Sequence, residues 1–396
     1  MHDEHGLPGV TPKMTQAYRA NCPTTPRFAS PSEKSSPPPP DFARWAPMNC
    51  RQCVFRGTLG LLCGLIAGVP FAVAKTKPTP TKAIAAPKPP APPPSVVVKL
   101  PPPPPGSEGD FPRPVRSWLE LQIALAREGI SSGSIDGVPG AQSIAALQAW
   151  QEREALPTTG KLDADTRDNL LLNAPPLVWL IVSQEDLARL QPLSTTWLGK
   201  SNQTALEYET VLELVSERAH AAPGLIKRLN PKVDWSQVHV GTVLTVPSVD
   251  RAEPLGKAAL VHISLSQHTL EVRDADGHLV AHFPVSIAHM AEKRPEGELH
   301  VTVVIPEPNY TFDPEVFPES AEAHQLGRKL VLPPGPNNPV GVAWIGLDKT
   351  GYGIHGTPLP ELVGRTESHG CFRLANWDAQ LMLELAWVGL RVVVEP

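Results

Sequence analysis

Beyond residue 63 the chain has almost no cysteine: Cys22, Cys50, Cys53 and Cys63 lie in the first 63 positions, and from Gly64 to Pro396 only Cys371 remains. A disulfide framework within that long stretch is therefore excluded, as is a zinc site built from paired cysteines. An excess of basic residues is also missing. Lys and Arg total 35 against 40 Asp and Glu, for a formal net charge of -5 and a pI near 6.2. No basic stripe is available to displace counterions from phosphates, so nucleic acid is not an expected partner.

Proline, by contrast, is abundant. The 48 prolines crowd into the first third, in "SPPPP", "KPTPTKAIAAPKPPAPPP" and "KLPPPPPG". Such runs lack backbone donors and favour extended polyproline II, so they serve as spacer and not as core. Residues 1–47 are expected to be disordered and to lie upstream of a true start at Met48; recovery of the peptide Met14–Arg19 from cells would count against that start. Residues 48–74 hold Arg51 and Arg56, an uncharged apolar run from Gly57, and a closing Ala72-Val73-Ala74. That is the order of an export signal, with a membrane anchor as the alternative because about 18 apolar residues just span a bilayer. Gly60-Leu61-Leu62 ahead of Cys63 lacks the small residues of a lipoprotein processing site. The protein is expected in the periplasm or at the cell wall, with residues 75–114 as a Pro-rich linker. Cleavage after Ala74 leaves Cys371 as its one thiol.

Folded sequence resumes at residues 115–173. Leu121 and Leu125 share one helical face, Ile144, Leu147 and Trp150 another, and Gly129, Gly133, Gly137, Gly140 and Gly160 punctuate the turns, which predicts three short helices around a small core. The spacing resembles the peptidoglycan-binding domain family, with Trp150-Gln151 standing for its aromatic-glutamine pair and Ser143 replacing the commoner threonine. Residues 177–206 fit no recognisable pattern. Residues 207–249 predict two helices and a closing strand, and resemble a LysM glycan-binding module that lacks the usual G-D-T-L entry.

From residue 258 to 396 the pattern changes to alternation. Val261, Ile263 and Leu265, then Leu270 and Val272, alternate with polar neighbours, and Asp276-Gly277 marks a hairpin turn. "ELHVTVVIP", "VGVAWIGL" and "LRVVVEP" predict further strands, and "NWDAQLMLELAW" places Trp377, Leu381 and Leu385 on one face of a helix. The expected fold class is multidomain: a mainly-β C-terminal domain, preceded by a small three-helix domain, a small α+β module and a disordered Pro-rich N-terminal region.

Within this domain "GYGIHGTPLPELVGRTESHGCFRLANWD" gathers His355, His369 and Cys371. Three chemistries compete for these residues. A structural zinc site wants four ligands, and no second cysteine follows the signal. Buried structural histidines would need partners for both ring nitrogens, with Cys371 an inert small hydrophobe. A nucleophile wants a thiol, a base within reach and backbone N–H groups aimed at a developing oxyanion, and Gly370 directly before Cys371 permits close backbone approach to a substrate.

The segments "IHGT" and, thirteen positions on from His355, "SHGCFRL" resemble the L,D-transpeptidase (YkuD) catalytic domain, as do "IPEPNYTFDP", "PPGPNNPVGVAWIGLDKTGYGIHGT" and the terminal "GLRVVV". The resemblance implies Cys371 as nucleophile, His355 as general base and acid, and the main-chain carbonyl of Gly356 orienting His355. It implies an assisting role for His369, an oxyanion hole from the backbone N–H groups of Gly370 and Cys371, and substrate contacts from Ser368, Arg373 and Tyr310. Phe372 departs from the commoner aliphatic residue. No cofactor or metal is implied. The implied substrate is the tetrapeptide stem of peptidoglycan, opened as a thioester with loss of D-alanine and passed to an amine, either a neighbouring stem (3-3 crosslink) or a lysine of an outer-membrane lipoprotein. Carbapenems are expected to trap the thiol. Hydrolysis of the same stem by a thiol carboxypeptidase or endopeptidase, and a non-catalytic wall-binding role, are the alternatives.

Overall fold

The computed structural model describes residues 100–104, 106–250, 256–316, 321–366 and 370–396. The expected N-terminal disordered segment, the export signal, most of the linker and two site candidates, Ser368 and His369, lie outside the described residues. Among the described residues no helix is long and apolar enough to cross a membrane.

The first folded unit runs β1 (Arg113–Pro114), α1 (Trp118–Arg127), α2 (Ala141–Arg153), α3 (Ala164–Asn169) and β2 (Leu171–Leu172), with β1 and β2 paired antiparallel. Two of its helices, α1 and α3, start where short polar side chains take up unpaired N–H groups: Ser117 accepts from Glu120 N–H and Asp163 from Thr166 N–H. Two buried glutamines tie the turns. Gln122 accepts from the Gly137 N–H at 2.7 Å and donates to Ser143 Oγ at 2.9 Å, while Gln151 accepts from the Gly160 N–H and donates to Thr166 Oγ1, both at 2.8 Å. Trp150 and Leu147 are buried as their spacing predicts, but Ile144 is not. It is 39% exposed and lies over Gly160, because the buried stripe of α2 is Ser143, Ala146, Leu147, Trp150 and Gln151, one residue round the helix.

The chain continues through β3 (Leu177–Ile181), α4 (Gln184–Ala188), α5 (Trp197–Ser201), α6 (Val211–Arg218), α7 (Pro223–Leu229) and β4 (Val243–Pro247). β3 and β4 pair antiparallel from Leu177↔Pro247 to Ile181↔Val243 with four helices between them, so the segment that sequence left without a pattern supplies the partner strand of this second unit. This unit and the first share one apolar core, in which Leu125, Trp150, Leu214, Ile226 and Leu244 are all buried.

The last unit comprises β5 (Leu260–Ser264), β6 (Thr269–Arg273), β7 (Leu279–Pro284), β8 (Gly297–Pro306), β9 (Tyr310–Phe312), α8 (Ala321–Leu326), β10 (Leu330–Leu332), β11 (Ala343–Leu347), β12 (Gly353–His355), β13 (Phe372–Arg373), α9 (Asn376–Leu385) and β14 (Arg391–Glu395). Eight strands form one sheet in the order β13-β12-β11-β8-β14-β5-β6-β7, and β9 pairs with β10 in a separate ribbon. Val261, Ile263, Leu270 and Val272 face the core, as the alternation requires, and α9 closes it with Ala379, Met382 and Leu385.

The preceding units pack directly on this domain. Ser131 N–H donates to the His282 carbonyl at 2.8 Å, Ser131 Oγ to Asp378 Oδ2 at 2.9 Å and Gln142 Nε2 to the Val363 carbonyl at 2.6 Å. From the other side, α5 stacks Trp197 on Phe312 of β9 at 4.4 Å.

Candidate active site

The pleat of three strands decides which side chains meet. β12 lies between β11 and β13, with Trp344↔His355 on one side and the parallel pairs Ile354↔Phe372 and His355↔Arg373 on the other. Ile345, Ile354, Phe372 and Leu374 all point into the core and are essentially inaccessible. Successive residues of a strand face opposite ways, so Trp344, Gly353, His355, Cys371 and Arg373 share the other face. Cys371 and His355 are then diagonal neighbours across the parallel pair, a spacing that long side chains bridge. Gly353, across from Cys371, has no room for a side chain: a Cβ there would lie 2.8 Å from the Trp344 ring.

His355 is buried, and its Nδ1 lies 2.6 Å from the Gly356 carbonyl oxygen. A carbonyl can only accept, so Nδ1 carries the proton and Nε2 keeps the lone pair in the neutral ring. Burial pushes the imidazole pKa down to about 4, and the positive charge of Arg373 adds to the shift, against the favourable contact with Gly356. The ring stacks on Trp344 with centroids 5.6 Å apart. The residue is thus held neutral, in one tautomer and in one plane.

Cys371 is half-buried and donates from Sγ to the Gly351 carbonyl at 3.5 Å. Burial pushes its pKa up, while the Gly353 N–H and the Arg373 guanidinium oppose that shift. The resting pair is therefore a thiol and a neutral imidazole. Arg373 is itself held below its ordinary pKa by burial, and its charge is felt by both Cys371 and Tyr310. Burial first, then the proximity of Cys371, pushes the Tyr310 phenol up to about 12, so it remains a hydrogen-bond donor. The fold thus brings together His355, Gly356, Cys371, Arg373 and Tyr310; Ser368 and His369 lie outside the described residues.

Three neighbours carry no motif signal. The Tyr352 ring packs against Gly370, within 3.5 Å of where a Cβ would sit. Trp344 roofs the imidazole from β11. Asn376, fully buried at the start of α9, accepts from the Thr357 N–H at 3.1 Å and the Val342 N–H at 3.3 Å, beneath the Gly356 peptide. An aromatic or an asparagine one strand away from a motif looks like any core or turn residue, and only the register assigns it to the site.

Comparison with known proteins bears on the family. A family model described as "L,D-transpeptidase catalytic domain" matches residues 258–394, and another described as "Putative peptidoglycan binding domain" matches residues 116–170. A protein of Bacillus licheniformis named "Putative L,D-transpeptidase YkuD" is 25% identical over 185 residues, which is 47% of this chain and 93% of the relative. A protein of Fuscovulum blasticum named "Putative L,D-transpeptidase in ATP synthase subunits region ORF 5" is 30% identical over 145 residues, 37% of this chain and 73% of the relative. Among solved structures, an L,D-transpeptidase from Mycobacterium smegmatis is 18% identical with a TM-score of 0.28, covering 39% of this chain and 66% of its own. With His355 and Cys371 on one face of the sheet, and with these family matches and the Fuscovulum blasticum relative alongside, the chain belongs to the L,D-transpeptidase family and carries a peptidoglycan-binding domain ahead of its catalytic domain.

Proposed function

We propose that this chain is a cell-wall transpeptidase that opens the tetrapeptide stem of peptidoglycan through a thioester on Cys371. The observation that carries the reading is the bond from His355 Nδ1 to the Gly356 carbonyl, which leaves Nε2 as a base on the face that presents Cys371. Nε2 takes the thiol proton as sulfur attacks the carbonyl carbon before the terminal D-alanine. The C–S bond forms, the C–N bond breaks, and the imidazolium returns the proton to the departing amine of D-alanine. An acceptor amine then attacks the thioester, losing a proton to His355, and the thiol is restored. The Gly370 and Cys371 N–H groups are proposed to hold the oxyanion, with Arg373 and Tyr310 placed for the substrate carboxylate or carbonyl and Ser368 and His369 lining the site. The amine is proposed to be a second stem or an outer-membrane lipoprotein lysine.

The unit that carries the peptidoglycan-binding domain packs against the catalytic domain, which supports a role in holding wall polymer beside the thiol. Export to the periplasm or wall by residues 48–74, and glycan binding by the LysM-like residues 207–249, belong to the same proposal. Incubation of the purified chain with muropeptides, followed by mass analysis, tests it. Loss of D-alanine with dimer formation is expected and is abolished by Cys371→Ala. Loss of D-alanine without dimers would instead show hydrolysis, and unchanged muropeptides would show a binding protein without turnover.

A further inference from the structure

The peptide that orients His355 is itself held from outside the catalytic domain. The Asn376 side chain is wedged between Gly341 and Gly356, each of which would drive a Cβ into Asn376 Oδ1. Every hydrogen-bonding position of its amide is used. Oδ1 accepts from the Val342 and Thr357 N–H groups, and Nδ2 donates to the Pro336 carbonyl at 3.1 Å and to both oxygens of Glu217 at 3.2 and 3.1 Å.

Glu217 belongs to α6 of the second unit, 159 positions earlier in the chain. Its carboxylate also accepts from the Tyr208 hydroxyl at 3.1 Å, and one turn of chain further on His220 stacks on Trp377 of α9 at 5.1 Å. The chain of contacts therefore runs from Glu217 to Asn376, to the Gly356-Thr357 backbone, and to His355 Nδ1.

We infer that Glu217 and Asn376 are positioning residues for the catalytic base: the preceding module, through Glu217, fixes the Asn376 amide, which sets the Gly356 carbonyl that orients His355. Without Glu217 the Asn376 Nδ2 keeps only the Pro336 carbonyl, so the amide can shift in its slot, loosening Oδ1 from the two N–H groups and letting the Gly356 peptide turn. The inference rests on the proposed role of His355, but its alkylation readout does not need the proposed substrate.

Full-length wild type, Glu217→Ala, Glu217→Gln and Tyr208→Phe are compared by the rate of Cys371 alkylation with iodoacetamide, by kcat and KM for D-alanine release from muropeptides, and by thermal melting. Misplacing a catalytic group by about an ångström costs on the order of 100-fold, so Glu217→Ala is expected to slow alkylation and kcat by about 10- to 100-fold with KM little changed. Glu217→Gln keeps an oxygen acceptor for Asn376 and is expected to recover most of that loss. Wild type that alkylates at Cys371 but releases no D-alanine sinks the proposed function while the alkylation series still tests the positioning. A folded Glu217→Ala protein with unchanged alkylation and kcat would overturn the inference. Equal losses in Glu217→Ala and Glu217→Gln that track a common fall in melting temperature would also overturn it.

Discussion

At His355 two requirements of a general base meet in one side chain, a free lone pair and a ring that does not turn. Burial keeps the ring neutral, with a pKa pushed down to about 4. Protonation removes the lone pair, so activity should persist as pH falls below the ordinary histidine value of about 6.5 and be lost only on passing about 4. A pH profile of kcat/KM with its acid limb near the ordinary value would contradict this. Gly356→Ala is the sharper perturbation. Its new Cβ would strike Asn376 Oδ1, so it is expected to lower kcat by about 100-fold or more and to destabilise the fold by about 1–3 kcal/mol, the range for overpacking. D-alanine release and a denaturant melt measure the two effects. A mass increase on the peptide containing Cys371 after carbapenem treatment, absent from Cys371→Ala, checks the nucleophile. The motif made His355, Gly356, Cys371 and Arg373 legible in sequence. Asn376 and Glu217 were not, because a buried acid on an amphipathic helix is spelled like a solvent-facing one.

Elements that carry no chemistry of their own hold the ribbon that bears Tyr310. Helix α5 is five residues long, too short to be stable alone, and is secured by docking. Trp197 stacks on Phe312, and the Trp197 and Leu198 N–H groups at its N-terminus both donate to Glu322 at 2.9 Å. Leu206, Phe312, Leu330 and Leu332 make the small core beneath. Trp197→Ala should therefore cost about 2 kcal/mol, less than the 3–5 typical of a fully buried aromatic. The expected signature is faster amide hydrogen exchange in β9 and β10, with the strands of the main sheet unaffected. Exchange that rises equally throughout would contradict a local role. The alternation of β5 and β6 was readable because one face of each strand is apolar. The pairing of β3 with β4 was not, since 61 residues separate the two strands and no local pattern reports a distant partner.

Across the whole molecule the units meet at buried polar contacts, and one of these titrates. Asp378 is buried beside Ser131, and burial pushes its pKa up to about 8, although the Ser131 hydroxyl pulls the other way. The unfolded carboxyl has its ordinary pKa of about 3.9. Between these values the folded chain holds a proton that the unfolded chain has lost, so this group's contribution to stability is full below about 4 and declines as pH rises toward 8. Asp378→Asn cannot ionise. Its melting temperature should gain on wild type as pH is raised through that window, and a difference independent of pH would contradict the burial of this carboxyl.

The sequence by itself determined the catalytic family, the HGT and SHGC segments, the mainly-β C-terminal domain and a small helical domain ahead of it. Each of these is written in short-range pattern: strand alternation, helical spacing, or a motif whose members lie within a few positions. Tertiary structure alone decided that the three folded units pack together, that the patternless segment supplies a strand to one and a brace to another, and that Glu217 reaches the peptide behind the base. Those facts depend on which buried donor meets which distant acceptor. That is settled by the register of strands and the docking of helices, and no local stretch of sequence records it.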